Sequence, residues 1–160
     1  MSGPRGRARL VVLGTVLGLA VAVVAATWLA GGGPAVVVAD DHGRQVASLP
    51  LPDGGRFALQ YRHSVYRAEV TETFAATGER FRLVAVASPS EAVLDYHELA
   101  GPRAAAGAGW RLEPSTTPAM TALPLVATEV GRRTLVVGDR RVPLFTEGAT
   151  PAHLVLTVRR

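Results

Sequence analysis

Residues 56–74 read RFALQYRHSVYRAEVTETF, and this stretch decides the fold that the sequence predicts. From Phe57 to Tyr61 every second residue is apolar or aromatic, which is the period-two pattern of a half-buried β-strand. The apolar series then changes parity and continues on even-numbered positions as far as Phe74. Strand parity changes only at a bulge, a bend or a turn. The sequence therefore predicts two strands with an irregular segment near residues 63–67.

Short strand-like segments continue on both sides of this stretch, separated by Gly, Pro and Asp residues that favour turns. The strands predicted outside 56–74 are 35–39, 45–49, 81–87, 110–112, 121–129, 134–137, 142–145 and 152–158. One short helix is predicted at Glu91–Tyr96, and residues 101–109 (GPRAAAGAG) read as a loose loop. About nine to ten short strands without a β-α-β rhythm predict an all-β sandwich or barrel.

The N-terminal residues predict a membrane segment ahead of this β domain. Arg5, Arg7 and Arg9 precede a charge-free apolar run at 10–30. A run of about 20 apolar residues can cross a bilayer as a helix, and basic flanking residues keep their own side in the cytoplasm. The alternative is a cleaved signal peptide, whose apolar region is usually shorter, about 7–15 residues.

These features predict the organisation of the whole chain. We expect a cytoplasmic basic segment at 1–9, a transmembrane anchor or uncleaved signal at 10–30, a linker at 31–35 and an extracytoplasmic β domain at 36–160. The protein would then lie in the inner membrane as a single-pass protein with its N-terminus inside. Cleavage would instead release a periplasmic or secreted domain.

The charge distribution argues against nucleic-acid binding. The chain has 17 basic and 13 acidic residues, but Arg5, Arg7 and Arg9 precede the β domain, whereas every acidic residue lies within it. The domain is therefore close to neutral, and its arginines occur in ones and twos rather than in a basic stripe. The chain has no cysteine, which excludes disulfides, Cys nucleophiles and thiolate metal ligands.

The best candidate site coincides with the parity change. His63, Ser64, Tyr66 and Glu72 bring four polar side chains to this segment, and strand irregularities are common beside functional sites. Glu72 falls on the apolar face of its strand, where a carboxylate requires a partner. In the functional interpretation, these four residues line a small polar binding pocket. In the structural alternative, His63 and Glu72 satisfy each other, or a backbone group, inside a hairpin.

The same stretch resembles a known bacterial family. A strand ending in Y-x-H-S-V-Y at 61–66, followed by V-x-E-x-F at 70–74, is similar to the domain of unknown function 1850. The resemblance extends loosely over 36–158, and residues 138–145 are similar to the family's closing hairpin. Members are short, and many are encoded beside, or fused to, permeases of the TAXI-type tripartite ATP-independent periplasmic (TRAP) transporters. The resemblance implies an association with solute uptake and says nothing about catalysis.

Catalytic and metal sites have weaker support in the sequence. Ser64 follows His63 directly, and neighbouring residues of a strand point to opposite faces, so a Ser–His pair is not expected. No G-x-S-x-G elbow is present to expose a serine. Residues 40–43 (DDHG) are typical of a hairpin turn, and residues 95–98 (DYHE) are expected to form a solvated helix end. We therefore predict no cofactor and no metal.

Three functional hypotheses follow from these patterns. The leading one is a membrane-anchored extracytoplasmic accessory protein, without enzymatic activity, that contacts a TRAP-type permease or its substrate-binding protein. The alternative is a periplasmic small-ligand-binding β domain with His63, Tyr66 and Glu72 in its pocket. A hydrolase that depends on Ser64 is the third.

Overall fold

The structure, a computed structural model, describes residues 33–160. The predicted cytoplasmic segment 1–9 and the predicted membrane anchor 10–30 lie outside the described residues. Within residues 33–160, no helix combines the length and the apolar character needed to cross a membrane.

Eleven strands and one short helix follow one another along this part of the chain. The strands are β1 (Ala35–Asp40), β2 (Gln45–Pro50), β3 (Arg56–Arg62), β4 (Glu69–Thr77), β5 (Arg80–Ser88), β6 (Arg103–Ala106), β7 (Gly109–Leu112), β8 (Ala122–Ala127), β9 (Thr134–Val137), β10 (Arg140–Pro143) and β11 (Ala152–Arg159). The helix, α1 (Glu91–Tyr96), lies between β5 and β6 and has the bounds that the sequence predicts.

The strands form two antiparallel sheets. The smaller sheet has four strands in the order β2-β1-β11-β8, and the larger has seven in the order β10-β9-β3-β4-β5-β7-β6. Buried residues from both sheets belong to one hydrophobic cluster, so the two sheets pack face to face as a sandwich. The prediction of an all-β fold is confirmed.

Three phenylalanine side chains of the larger sheet form the centre of this shared core. Phe57 stacks on Phe74 with 5.1 Å between the ring centroids, and Phe81 contacts both rings edge-on. Val38 and Leu156 are among the aliphatic residues that the smaller sheet contributes to the same cluster. Full burial of a side chain of this size stabilises a fold by roughly 1.5–3 kcal/mol. The cluster therefore holds the sheets against each other.

The helix α1 covers another part of the inner face of the larger sheet. Its Val93 and Leu94 are fully buried in a second cluster with Val70 of β4, Val86 of β5 and Leu112 of β7. This cluster contains no residue of the smaller sheet. The inner face of the larger sheet is therefore covered in two parts, one by the smaller sheet and one by α1.

The parity change of the sequence lies at the turn between β3 and β4. The His63 N–H donates to the Ala68 carbonyl, the Arg67 N–H donates to the His63 carbonyl, and Arg67 has a φ of 55°. Because this turn reverses the chain, Tyr61 of β3 lies opposite Val70 of β4 and both face inward. The irregular segment predicted near 63–67 is this turn.

The prediction of a loose loop at 101–109 is wrong, because this segment contains β6 and the start of β7. The two strands pair with Arg103 opposite Leu112 and Ala106 opposite Gly109. Alanine and glycine have low strand propensity, which conceals the hairpin in the sequence. Glycine is required at position 109, where a Cβ would lie 2.5 Å from the Ser88 carbonyl oxygen of β5.

Candidate functional site

A pocket of about 420 Å³ opens on the inner face of the larger sheet, between α1 and the connection from β8 to β9. We call it the α1 pocket, and its lining includes Tyr61, His63, Ser64, Glu72, His97 and Arg133. Other depressions of the described chain have similar volumes. The side chains of the α1 pocket, rather than its size, therefore distinguish it.

Glu72 is the centre of a hydrogen-bonded group that joins the sheet to the helix end. Its Oε1 accepts a hydrogen bond from the Tyr61 hydroxyl at 2.8 Å and lies 3.1 Å from Nε2 of His97. Nδ1 of His97 lies 2.9 Å from the carbonyl oxygen of Val93 in α1. The side chains of His97 and Glu72 are only 13% and 18% exposed. These contacts supply the partner that a carboxylate on the apolar face requires.

The partners of His97 determine where its protons lie. The Val93 carbonyl can only accept, so Nδ1 carries a proton, and the Glu72 carboxylate also accepts, so Nε2 carries the second. His97 is then an imidazolium paired with a carboxylate. The hydrogen bond to Glu72 raises the pKa of His97 above its ordinary value and outweighs the opposing effect of partial burial. The hydrogen bond to Val93 and the Glu72 charge add to the rise.

Tyr61 connects this group to an arginine from the other side of the pocket. Burial raises the pKa of the Tyr61 hydroxyl far above its ordinary value, and the Glu72 charge adds to the effect, so the hydroxyl remains a donor. The guanidinium of Arg133 lies over the Tyr61 ring, 4.8 Å from its centroid. This cation–π contact holds the positive charge of Arg133 beside the pocket.

His63 lies in the turn after β3 and is buried, with 6% of the residue exposed. Its Nδ1 accepts the backbone N–H groups of Val65 and Tyr66, each at 3.3 Å. The ring also packs edge-on against Tyr96 of α1, with 4.7 Å between centroids, and is tilted against Tyr66 at 5.1 Å. The turn and the helix together therefore fix the orientation of this imidazole.

The four side chains that the sequence selects do not all reach the same place. His63, Ser64 and Glu72 line the α1 pocket, whereas Tyr66 is not part of its lining. Tyr66 is 44% exposed, and its ring contacts the ring of His63. His63 bonds to backbone groups within the hairpin, as the structural alternative holds. Glu72 does not bond to His63 but to Tyr61 and His97.

Among the pocket residues described above, the sequence-based site prediction missed Tyr61, His97 and Arg133. The prediction that His97 belongs to a solvated helix end is wrong, because its side chain is largely covered and contacts Glu72. Tyr61 could have been found, since it is one of the alternating inward residues of β3 and its side chain ends in a hydroxyl. Nothing in the sequence connects Arg133 to Tyr61, since the contact depends on the pairing of β9 with β3.

The DDHG cluster at 40–43 is a hairpin turn. Oδ1 of Asp40 accepts the backbone N–H groups of His42 and Arg44, and Arg44 Nε donates to the other carboxylate oxygen. Across residues 33–160, no three His, Asp or Glu side chains are grouped so that they could hold a metal ion.

These features define a class of protein: a two-sheet β-sandwich with a polar pocket beside its single described helix. The sequence model of the family described as Domain of unknown function (DUF1850) matches residues 57–144, from β3 to β10. The match covers more than half of the chain, which therefore belongs to the domain of unknown function 1850 family, as the 61–66 and 70–74 motifs predict. Neither the curated proteins nor the solved structures include a significant match to the chain.

Proposed function

We propose that the domain binds a small polar ligand in the α1 pocket. The observation that carries this proposal is the convergence of three residues with polar side chains, His63, Ser64 and Arg133, on one space. Binding sites for small molecules are typically concave, with volumes of about 300–1,000 Å³ and a few convergent polar groups. The hydrogen bond that His97 donates to Glu72 fixes the end of α1 to the sheet and so maintains the shape of the pocket.

We propose binding without catalysis, since the pocket histidines lack a free basic nitrogen. His97 uses both ring nitrogens, one on Val93 and one on Glu72. Nδ1 of His63 accepts two backbone N–H groups. Activation of Ser64 as a nucleophile would require a lone pair on one of these rings. This argument disfavours the hydrolase hypothesis.

A bulky side chain at position 64 tests the binding proposal. Ser64 is exposed in the β3–β4 turn and lines the pocket, so Ser64→Trp should fill the opening without removing a core contact. Ser115 is also exposed and serves as the matched control, Ser115→Trp. Thermal-shift measurements would use the full chain and a library of neutral, cationic and anionic metabolites. We expect compounds that stabilise the unmodified chain and the control but not Ser64→Trp. A library without any such compound would contradict the proposal.

We also propose a second function, as an accessory of a TRAP-type transporter. Two observations favour it: membership of the family, and three exposed side chains at the pocket mouth. Val65, Tyr66 and Tyr96 are 67%, 44% and 62% exposed, and we call them the mouth patch. Exposed aromatic and apolar groups of this kind are enriched in protein interfaces. The 10–30 segment would hold the domain outside the cytoplasmic membrane, within reach of a permease or its substrate-binding protein.

Co-purification of the tagged full chain with a TRAP-type permease tests this second proposal. The unmodified chain should retain the permease in mild detergent, and Val65→Ser should weaken the interaction. Val46→Ser is the matched control, because Val46 is 43% exposed but lies on β2, away from the mouth patch. Absence of the permease from the purified sample would contradict the proposal, as would equal losses in the two variants.

A further inference from the structure

We infer that the α1 pocket selects a small organic anion and that Arg133 and His63 bind its acid group. This inference rests on the proposed ligand-binding function and specifies the chemical class of the ligand. It follows from the balance of donors, acceptors and charges around the pocket.

Arg133 brings a positive charge whose hydrogen-bond donors are unused by the described residues. Its guanidinium is held over the Tyr61 ring, 4.8 Å from the centroid. Among residues 33–160, no carboxylate, carbonyl or hydroxyl accepts a hydrogen bond from this side chain. A guanidinium has five N–H donors in a planar fork that matches a carboxylate. The ring contact therefore orients the group, and its fork is available to a ligand.

His63 contributes a second available donor. Because Nδ1 accepts the backbone N–H groups of Val65 and Tyr66, the ring proton of the neutral imidazole lies on Nε2. No described residue accepts a hydrogen bond from Nε2. Every fully enclosed side-chain nitrogen and oxygen of the described chain has a partner, so Nε2 is accessible. Since His63 lines the pocket, this N–H is available there.

The one carboxylate of the pocket does not cancel this excess of donors. Oε1 of Glu72 already contacts the Tyr61 hydroxyl and His97, and the imidazolium of His97 neutralises its charge. Arg62 also lines the pocket, and its Nε donates to the Arg67 carbonyl rather than to a carboxylate. The lining therefore has a net positive charge and more donors than acceptors. The complementary ligand is an anion that accepts hydrogen bonds.

Two exposed residues of the pocket lining favour an organic anion over an inorganic one. Tyr96 and Val126 line the pocket and are 62% and 48% exposed. They offer an aromatic and an aliphatic surface on which the carbon part of a ligand can pack. A free inorganic anion would use the donors but would leave this surface in water. A compact carboxylic acid uses both.

Matched probes of equal chain length test the inference. The anionic probes are succinate and glutarate, the neutral ones are succinamide and glutaramide, and the cationic ones are 1,4-diaminobutane and 1,5-diaminopentane. Affinities are measured by calorimetry on the full chain, with inorganic phosphate as a separate arm. We expect a dicarboxylate to bind and its diamide, the diamines and phosphate to bind at least about tenfold more weakly.

Two arginine variants separate a specific contact from a general effect of charge. Arg133→Met removes the fork and keeps an apolar contact with Tyr61, and it should weaken dicarboxylate binding about tenfold or more. Arg132→Met removes the same charge from the neighbouring position, where the guanidinium lies over Phe145 outside the pocket lining. This control should leave affinity unchanged. The comparison of acid with diamide requires no variant and remains valid if Arg133→Met fails to fold.

Each unfavourable result has a distinct meaning. Diamides or diamines that bind in a Ser64-dependent way, while the dicarboxylates do not, would overturn the anion inference and leave the binding function standing. Phosphate that binds as tightly as the dicarboxylates would overturn the inference that the pocket prefers an organic anion to an inorganic one. Equal losses in Arg133→Met and Arg132→Met would overturn the role of Arg133. A pocket that retains no compound from any class would contradict the proposed function itself.

Discussion

Replacing His97 with asparagine should destabilise the domain by an amount that depends on pH. The amide of His97→Asn can still donate to the Val93 carbonyl, but it carries nothing in the place of Nε2. The variant therefore removes the contact with Glu72 while preserving the contact with the helix. Its effect reports on the ion pair between His97 and Glu72, which joins the end of α1 to the larger sheet.

The magnitude follows from the geometry of the pair. Nε2 of His97 and Oε1 of Glu72 are 3.1 Å apart, a separation at which two unit charges attract by about 5 kcal/mol in a medium of effective dielectric constant 20. Removing both groups from water offsets much of this attraction, because the side chains are only 13% and 18% exposed. A hydrogen bond to a charged group typically contributes about 1.5–3 kcal/mol net. We expect a loss of that size in the free energy of unfolding.

The pH dependence follows from the raised pKa of His97. The folded chain binds this proton more tightly than the unfolded chain does. The stabilisation is therefore complete below the unfolded pKa of about 6.5 and is lost as pH rises through the higher folded pKa. Urea unfolding of the full chain, followed by circular dichroism, should show the full difference between the unmodified chain and His97→Asn at about pH 5.5 and a much smaller one at about pH 9.

His153→Asn is the control, because His153 is exposed on β11 and its side chain has no hydrogen-bond or ion-pair partner among the described residues. Its unfolding free energy should remain within about 0.5 kcal/mol of that of the unmodified chain at every pH. A His97→Asn effect that is constant with pH, or larger in alkali than in mild acid, would rule out a charged pair between His97 and Glu72.

Three further predictions concern the framework of the site, each measured by equilibrium unfolding. Phe81→Ala should lower the free energy of unfolding by about 3–5 kcal/mol, since Phe81 is 1% exposed within the aromatic core. A loss under 1 kcal/mol would argue against the shared core of the two sheets. Gly54→Ala should lower the free energy of unfolding only by the strain of its positive φ, about 1–2 kcal/mol. Gly55→Ala should lower it more, because the added Cβ would lie 2.6 Å from the carbonyl oxygen of Ala76. Equal losses in the two variants would show that the turn moves freely away from β4. Tyr61→Phe should cost about 1–3 kcal/mol through the lost hydrogen bond to the carboxylate, and no loss would indicate that water replaces the hydroxyl.

Most of the strands and the helix could be predicted, because their signals are local. The alternation in β3 and β4 and the turn residues between them are sufficient to define that hairpin. The segment Arg103–Ala106 could not be predicted, because all four of its side chains are exposed and three of them are alanine. Its strand conformation comes from backbone pairing with β7, and sequence periodicity does not report on such pairing.

Only part of the candidate site could be predicted: the need of Glu72 for a partner, but not which residue the partner is. The position of Glu72 on an apolar face predicts that a partner exists, by the cost of burying an unpaired carboxylate. The identity of that partner depends on how Val93 and Leu94 seat α1 on the larger sheet. His97 follows the helix and therefore reaches Glu72 only in the folded domain. Such tertiary contacts have no signature in a single sequence, whereas the motif around His63 does.

Amide NMR spectra of the full chain during titration with succinate test the central claim, ligand binding in the α1 pocket, most directly. Binding in the pocket should give saturable shifts at Ser64, His97 and Gly131, which line the pocket on the turn, the helix end and the β8–β9 connection. The resonances of Gln45–Pro50, at the edge of the smaller sheet farthest from β8, should not move. Unchanged resonances at those three pocket positions, with shifts elsewhere or none at all, would contradict it.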